Sequence, residues 1–317
     1  MQRRAFLSSA TAMAIAGLPG CGGSGGSPQE DTVPVGAATE IAMDYANPHI
    51  SVQALVNGSP LRLLLDTGAD GNLLSAAVAQ ALGLVLSQER VPLSGGGGNA
   101  DPVPWTTIDS LAVGGVAQRA ARAYVVSLPQ GFPWDGVLGA TFFRDFVPAF
   151  DYAGRTLRLT PAGAFVPVAG DVALPLQALD GGKLLVQARV GDVVGWFSVD
   201  TGAKGSVTVF RPTVERLGLR ERWAPAVRTV TGNTVSGPVH GDMVRAPSLG
   251  IGSWHWAGVP VELSLEEAGL FGSDGWAGNI GGEVWRRFTV TPDYRGRTLW
   301  LRPNTELNTP FVDPRLA

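Results

Sequence analysis

The chain contains the segment Leu61-Arg62-Leu63-Leu64-Leu65-Asp66-Thr67-Gly68-Ala69, in which an apolar run ends at Asp-Thr-Gly. The same tripeptide returns in Gly195-Trp196-Phe197-Ser198-Val199-Asp200-Thr201-Gly202-Ala203, again after a run that is typical of a buried strand. In both places we expect the aspartate to leave a strand and enter a turn that glycine permits. Two such motifs in matching contexts predict a pair of carboxylates that meet at one cleft.

The surroundings of the two motifs repeat in the same order, which indicates an internal duplication. Each half has the same four landmarks. They are a turn before the motif, a short helical pattern that ends in Leu-Gly-Leu, a tripeptide that ends in an aliphatic residue and glycine, and a turn before an alternating strand. These landmarks are Val56-Asn57-Gly58 and Val190-Gly191-Asp192, Leu82-Gly83-Leu84 and Leu217-Gly218-Leu219, Val137-Leu138-Gly139 and Asn279-Ile280-Gly281, and residues 151–157 and 293–299.

Through these residues the chain resembles the aspartic proteases, in particular two retropepsin-like domains joined in one polypeptide as in the bilobal pepsin-like enzymes. The resemblance spans residues 47–303. It implies an all-β fold of two pseudo-symmetric retropepsin-like β-barrel lobes with short helices and an interlobe active-site cleft. It also implies a role for each residue of the motifs: Asp66 and Asp200 as the catalytic pair, Thr67 and Thr201 as their hydrogen-bonded support, and Gly68 and Gly202 as the residues that let the two loops approach.

The implied chemistry depends on two acids that lie close together. Such carboxyls cannot both ionise easily and share a proton, as the aspartic proteases themselves exemplify. One then acts as the base that deprotonates a water molecule and the other as the acid during attack on a peptide carbonyl. The resemblance therefore implies an aspartic endopeptidase that acts on peptide or protein substrates and requires neither a metal nor a cofactor.

Two other functions compete with this interpretation. A catalytically silent envelope lipoprotein could bind peptides in the same cleft. A glycosidase could use the acid pair, but this class is disfavoured because its carboxylates usually stand at least about 5 Å apart.

Each half also offers a hairpin that is a candidate for covering a bound substrate. The stronger candidate has the glycine-rich tip Gly95-Gly96-Gly97-Gly98-Asn99, and the weaker one contains Thr231-Gly232-Asn233, with Gly-Asn as a two-residue turn. An ordinary surface hairpin is the alternative for each. Their parallel positions after the Leu-Gly-Leu helix favour covering loops.

The two halves differ directly after the motifs. Asp70 follows the first Ala, whereas Lys204 stands at the equivalent position of the second half. A lysine turned inward would lower the pKa of Asp200, and a solvated lysine is the alternative. The three histidines, which lack the spacing of metal ligands, are expected to be structural, and no metal site is predicted; they are His49, His240 and His255.

Composition agrees with one large globular unit. Of 317 residues, 45% are hydrophobic and 16% charged, which supports two compact lobes, expected to form a monomer. The formal net charge of −3 comes without a basic stripe, so no nucleic-acid partner is expected. The predicted division is a signal peptide (1–20), a flexible Gly/Ser linker (21–46), an N-terminal lobe (47–160), an interlobe linker (161–180), a C-terminal lobe (181–303) and a tail (304–317).

The N-terminal residues are typical of an export signal. Arg3-Arg4 resembles a twin-arginine signal, a short apolar stretch follows, and Leu18-Pro19-Gly20-Cys21 resembles a lipoprotein processing site. A transmembrane helix is the competing interpretation, but the stretch is shorter than the roughly 20 residues that spanning needs. Cys21 is the single cysteine and is therefore the predicted lipidation site. We expect a protein of the periplasm or cell envelope that touches the membrane only through this lipid anchor.

Overall fold

The computed structural model describes residues 32–33, 38–46, 49–128, 131–179 and 181–316. The predicted signal peptide, the Gly/Ser-rich part of the linker and the predicted lipidation site Cys21 lie outside this part of the chain. Within it, none of the helices has both the length and the apolar character needed to cross a membrane.

The described part of the N-terminal half is built mainly of strands, with two short helices, as its turn-rich alternating sequence predicts. Its helices are α1 (Ala76–Ala81) and α2 (Ala140–Phe143). Its strands are β1 (Thr32–Val33), β2 (Thr39–Ala42), β3 (Asp44–Ala46), β4 (His49–Val56), β5 (Ser59–Leu65), β6 (Asn72–Ser75), β7 (Leu86–Ser94), β8 (Asn99–Val113), β9 (Val116–Val126), β10 (Gly136–Leu138), β11 (Phe146–Asp151) and β12 (Thr156–Pro161).

The C-terminal half repeats this order. Its helices are α3 (Arg211–Leu217), α4 (Leu219–Arg222) and α5 (Gly282–Trp285), and a 3₁₀ helix follows at Pro314–Leu316. Its strands are β13 (Val172–Ala178), β14 (Leu184–Val190), β15 (Val193–Val199), β16 (Val207–Val209), β17 (Val227–Thr234), β18 (Gly237–Ile251), β19 (Trp254–Ser264), β20 (Gly278–Ile280), β21 (Phe288–Asp293) and β22 (Thr298–Pro303).

The duplication is visible in the strand pairing of the two halves. In the first, β10 runs parallel to β5 and antiparallel to β6. In the second, β20 runs parallel to β15 and antiparallel to β16. The strand that precedes each Asp-Thr-Gly motif therefore has the same neighbour in both lobes, and the all-β, two-lobed fold class is confirmed.

A shared antiparallel sheet joins the lobes. Its strand order is β13-β22-β21-β11-β12-β2, and its centre is the pairing of β11 with β21, where Phe150 lies opposite Val290. In the four central strands, the side chains of Phe150, Leu157, Val290 and Leu299 are fully buried and belong to one apolar core that continues into both lobes. Because this close-packed core includes both halves, it couples the two lobes to each other.

Three boundaries differ from the sequence-based division. Strands β2 and β3 lie inside the predicted linker 21–46, and β13 lies inside the predicted interlobe linker 161–180. The predicted tail also packs on the protein, since Leu307 and Phe311 contact the core. For β2 and β13 the reason is the shared sheet, whose outer strands they form: β2 pairs with β12, and β13 pairs with β22. Strand β3 pairs with β4 instead.

Candidate active site

The two motif aspartates lie at the ends of buried strands. Strand β5 ends at Leu65 and strand β15 ends at Val199, and each next residue is the aspartate of a motif. Asp66 is 0% exposed and Asp200 is 1% exposed. Buried carboxyls need hydrogen-bond donors, and the loops that follow the strands supply them.

The two motif threonines tie the loops together by a reciprocal set of hydrogen bonds. The Thr67 hydroxyl donates to the carbonyl of Val199 at 2.7 Å, and the Thr201 hydroxyl donates to the carbonyl of Leu65 at 2.8 Å. Each threonine hydroxyl also accepts a bond from the backbone N–H of the other threonine, at 3.1 Å in both directions. Four buried bonds therefore fix the position of one aspartate relative to the other.

The glycines of the motifs face the opposite carboxyl groups. A Cβ added to Gly68 would lie 2.5 Å from Cγ of Asp200, and a Cβ added to Gly202 would collide with the carboxyl of Asp66. Any side chain at either position would separate the two loops. The close approach of the carboxyl groups thus depends on glycine at both positions, as the sequence predicts.

Both carboxyls are held by backbone donors in the same way. Oδ1 of Asp66 accepts from the N–H groups of Gly68 (2.8 Å) and Ala69 (3.1 Å). Oδ1 of Asp200 accepts from those of Gly202 (2.8 Å) and Ala203 (2.9 Å). The pseudo-symmetry of the fold therefore extends to the inner oxygen of each acid.

The second oxygens differ. Oδ2 of Asp200 accepts a bond of 2.8 Å from the side-chain amide of Asn279. Oδ2 of Asp66 is buried, and no protein donor within the described residues reaches it. The site is thus symmetric in its backbone and asymmetric in the side chains around it.

Burial raises the pKa of both aspartates, because a charged carboxylate is disfavoured away from water. The negative charge of Asp200 raises the pKa of Asp66 further, to well above its usual value. For Asp200 the rise is opposed by the bond from Asn279 and by the charge of Lys183. The charge of Lys183 opposes the rise at Asp66 as well, but there it is outweighed by burial and by the charge of Asp200. These effects together support a pair that carries one proton.

One cation that acts on both aspartates is Lys183, for which the sequence analysis predicts no role. Its side chain is 3% exposed, and its ammonium group donates to the carbonyl of Gly68 at 2.6 Å and lies 3.3 Å from the Asp70 carboxylate. Lys183 precedes β14, so this contact joins the C-terminal half to the first motif. Its charge lowers the pKa of Asp66 and of Asp200.

Lys204 is the lysine that would lower the pKa of Asp200 if its side chain turned inward. In the structure it lies among other charged groups. It is half-buried, and the charges that act on it are those of Arg315, Asp313 and Glu283. It lines a small cavity next to Asn279 that has both polar and apolar walls; the polar residues of this lining include Ser206, Thr208, Thr231, Glu262 and Arg315. This cavity brings part of the second predicted hairpin close to the site.

The first predicted covering hairpin is present, and its tip is docked. Strands β7 and β8 are joined by the four glycines Gly95 to Gly98, while Asn99 begins β8. The carbonyls of Gly95 and Gly96 accept hydrogen bonds of 2.9 and 2.8 Å from the N–H groups of Leu270 and Phe271. The tip of the N-terminal hairpin therefore lies on a loop of the C-terminal lobe.

The second predicted hairpin is present, but its predicted turn is wrong. Gly232 and Asn233 lie within β17, opposite Val239 and Pro238, and Thr231 is buried at a bulge in this pairing. The turn comes three residues later, between Thr234 and Gly237. There the Thr234 hydroxyl accepts a bond of 3.2 Å from the N–H of Ser236, and Gly237 has a φ of +104°. This side-chain hydrogen bond is a turn signal of its own.

Replacing Thr67 by Val is expected to destabilise the fold, because the N–H of Thr201 and the carbonyl of Val199 lose their buried partner. Each unsatisfied buried group costs about 1–3 kcal/mol. Urea unfolding of the variant measures this loss. Thr107 is exposed on β8, and Thr107→Val is the control, with an expected change within about 0.5 kcal/mol. Equal stability of the two variants would show that the threonine contacts do not hold the lobes together.

A family model described as "Aspartyl protease" matches residues 52–142 and 186–274, one segment in each half. No curated protein sequence matches. Among solved structures, a crystal structure of a retropepsin-like aspartic protease from Rickettsia conorii is similar with 22% identity and a TM-score of 0.32, over 41% of this chain and 94% of that one. The family model covers more than half of the chain and includes both Asp-Thr-Gly motifs, and the chain therefore belongs to the aspartyl protease family.

Proposed function

We propose that the chain is an aspartic endopeptidase in which Asp66 and Asp200 activate a water molecule for attack on a peptide bond. The observation that carries the proposal is the reciprocal contact of the two motifs, in which each carboxyl faces the glycine of the other motif. Two carboxyls held in this way in a buried site share one proton, which supplies an acid and a base together.

The proposed reaction needs one neutral and one ionised aspartate. The ionised one removes a proton from water while the water oxygen bonds to the peptide carbonyl carbon, and the neutral one gives its proton to the carbonyl oxygen. When the intermediate collapses, the C–N bond breaks and the nitrogen takes up the proton that water lost. The hydroxyl returns its proton to the other aspartate, and the pair is restored to its initial state.

The substrate proposed for this site is a segment of peptide that enters below the glycine tip of the N-terminal hairpin. That tip is held to the C-terminal lobe by the two bonds to Leu270 and Phe271. Entry of a peptide between the lobes requires these bonds to break, so opening of the hairpin belongs to the proposed catalytic cycle. The small cavity beside Asn279 is the proposed pocket for one substrate side chain.

The experiment is incubation of the full chain with a peptide library from acidic to neutral pH, with products identified by mass spectrometry. We expect the wild-type chain to cleave internal peptide bonds at a defined set of sites. The double variant Asp66→Asn/Asp200→Asn, purified in the same way, should cleave at least about a hundredfold more slowly and thereby exclude a contaminating protease. No cleavage by the wild-type chain at any pH, or equal cleavage by the double variant, would contradict the proposal.

A further inference from the structure

Two buried polar side chains near Asp200 have apolar counterparts near Asp66. Ser198 on β15 lies opposite Asn279 on β20, and both are 1% exposed. The equivalent pair of the N-terminal lobe is Leu64 on β5 opposite Val137 on β10, in the same parallel register. Burial of a hydroxyl and an amide is unfavourable unless both are hydrogen-bonded, so this difference between the lobes calls for a physical role.

The hydrogen bonds orient the amide toward the aspartate. The Ser198 hydroxyl is 2.7 Å from Oδ1 of Asn279, and the alternative acceptor, the carbonyl of Gly278, is farther away at 3.4 Å. Because the hydroxyl donates to Oδ1, the amide nitrogen is the atom that faces Asp200, and it donates to Oδ2 at 2.8 Å. An N–H donor stabilises an ionised carboxylate more than a neutral carboxyl. Leu64 and Val137 can give Asp66 no such bond.

We propose that the Ser198–Asn279 pair assigns the two halves of the reaction, holding Asp200 as the carboxylate that deprotonates water and leaving the shared proton on Asp66. This inference rests on the proposed function and deepens it. The water proton then passes to Asp200, and the proton of Asp66 passes to the carbonyl oxygen. On collapse, Asp200 protonates the departing nitrogen and Asp66 regains its proton from the hydroxyl. Asn279 is a positioning residue in this scheme, because it acts through Asp200.

The other ionisable groups around the pair do not make this distinction. Lys183 lowers the pKa of both aspartates, and its own partner is Asp70. Tyr152 and Tyr294 occupy equivalent places in the two halves, and burial keeps the pKa of each hydroxyl above its usual value. Both tyrosines are therefore neutral near Asp200 and Asp66, respectively. The side-chain donor that separates one aspartate from the other is Asn279.

The direct test is a carboxyl titration that needs no substrate. In protein labelled with ¹³C at the aspartate carboxyls, resonances assigned through Asp66→Asn and Asp200→Asn report the midpoint of each group. We expect Asp200 to titrate at lower pH than Asp66 in the wild-type chain. In Asn279→Val, which introduces the residue found at position 137, the midpoint of Asp200 should move to higher pH.

The serine provides a second, smaller change at the same place. Ser198→Ala should shift the Asp200 midpoint in the same direction, because the amide loses its anchor, and Ser198→Thr should restore it. If the midpoint of Asp200 stays unchanged in folded Asn279→Val and in folded Ser198→Ala, the proposal is overturned. A merely structural role for Asn279 would change stability without moving this midpoint.

Kinetics separate this inference from the proposed function. The acid limb of the pH profile of kcat/KM should move to higher pH in Asn279→Val, with kcat reduced about tenfold or more and KM little changed. Cleavage by the wild-type chain with an unmoved profile in Asn279→Val would overturn the inference alone. A shifted Asp200 midpoint in a chain that cleaves no peptide would support the inference about the proton and contradict the proposed function.

Discussion

Peptide hydrolysis by Asp66→Asn is expected to be slower than by the wild-type chain by about a hundredfold to ten-thousandfold, and the same loss is expected for Asp200→Asn. An amide has nearly the shape of a carboxyl, but it can neither accept the proton of water nor hold the proton that the pair shares. KM should therefore change little while kcat falls. Steady-state kinetics on one peptide selected from the library measure both constants.

The stability of Asp66→Asn should change in the opposite direction. The pKa of Asp66 is raised in the folded chain, so the folded state holds this proton more tightly than the unfolded state, and stability falls as pH rises above the usual value of 3.8. An asparagine is neutral at every pH and avoids this loss. Urea unfolding should show Asp66→Asn to be more stable than the wild-type chain at pH 7, with the gain disappearing below about pH 4.

A matched control distinguishes these effects from a general effect of removing one charge. Asp109 is exposed on β8, and Asp109→Asn should leave both kcat and stability within experimental error of the wild-type values. If Asp66→Asn kept most of the activity, the pair would not be the catalytic unit. If it were less stable than the wild-type chain at pH 7, burial would not be what raises the pKa of Asp66.

Replacing Gly68 by Ala should damage both stability and activity. The new Cβ would lie 2.5 Å from Cγ of Asp200 and 2.7 and 2.8 Å from its two oxygens, so the loops must move apart. Overpacking of this kind costs about 1–3 kcal/mol, and a displacement of a catalytic group by about 1 Å lowers the rate by about a hundredfold. Thermal unfolding and peptide cleavage measure the two effects.

The control for this prediction lies three residues after the second motif. A Cβ added to Gly205 meets no atom within 4 Å, and its backbone φ lies outside the positive range that side chains avoid. Gly205→Ala should therefore keep or slightly raise the stability, by up to about 1 kcal/mol. A Gly68→Ala variant as stable and as active as Gly205→Ala would show that the two carboxyls do not need the close approach described above.

Local sequence was sufficient to predict much of the fold and the centre of the site. The turn at Asn57-Gly58 and the helix at Arg211–Leu217 have the predicted positions, because their signals are short-range. The reciprocal contacts of Thr67 and Thr201 follow the motif. The internal duplication supports the prediction of two similar lobes, since each landmark of one half has a counterpart in the other.

What the sequence left unpredicted depends on contacts between distant segments. Strands β2 and β13 were assigned to linkers because their partners, β12 and β22, are far away in the chain. The roles of Lys183 and Asn279 are not predicted, because they follow from the side chains that these residues meet after folding. One feature of the sequence does indicate the role of Asn279: it is a polar residue at the position where the first half has the apolar Val137. Export and lipidation at Cys21 stay predictions.

The central claim is that Asp66 and Asp200 act as one catalytic unit, and the most direct test is a double-mutant cycle on a single peptide substrate. The kcat of Asp66→Asn, Asp200→Asn and the double variant should be compared with that of the wild-type chain under identical conditions. Because the reaction needs the acid and the base together, the account predicts that the double variant loses about as much activity as either single variant. Losses that multiply, so that the double variant falls by the product of the two single effects, would show independent roles and contradict the account.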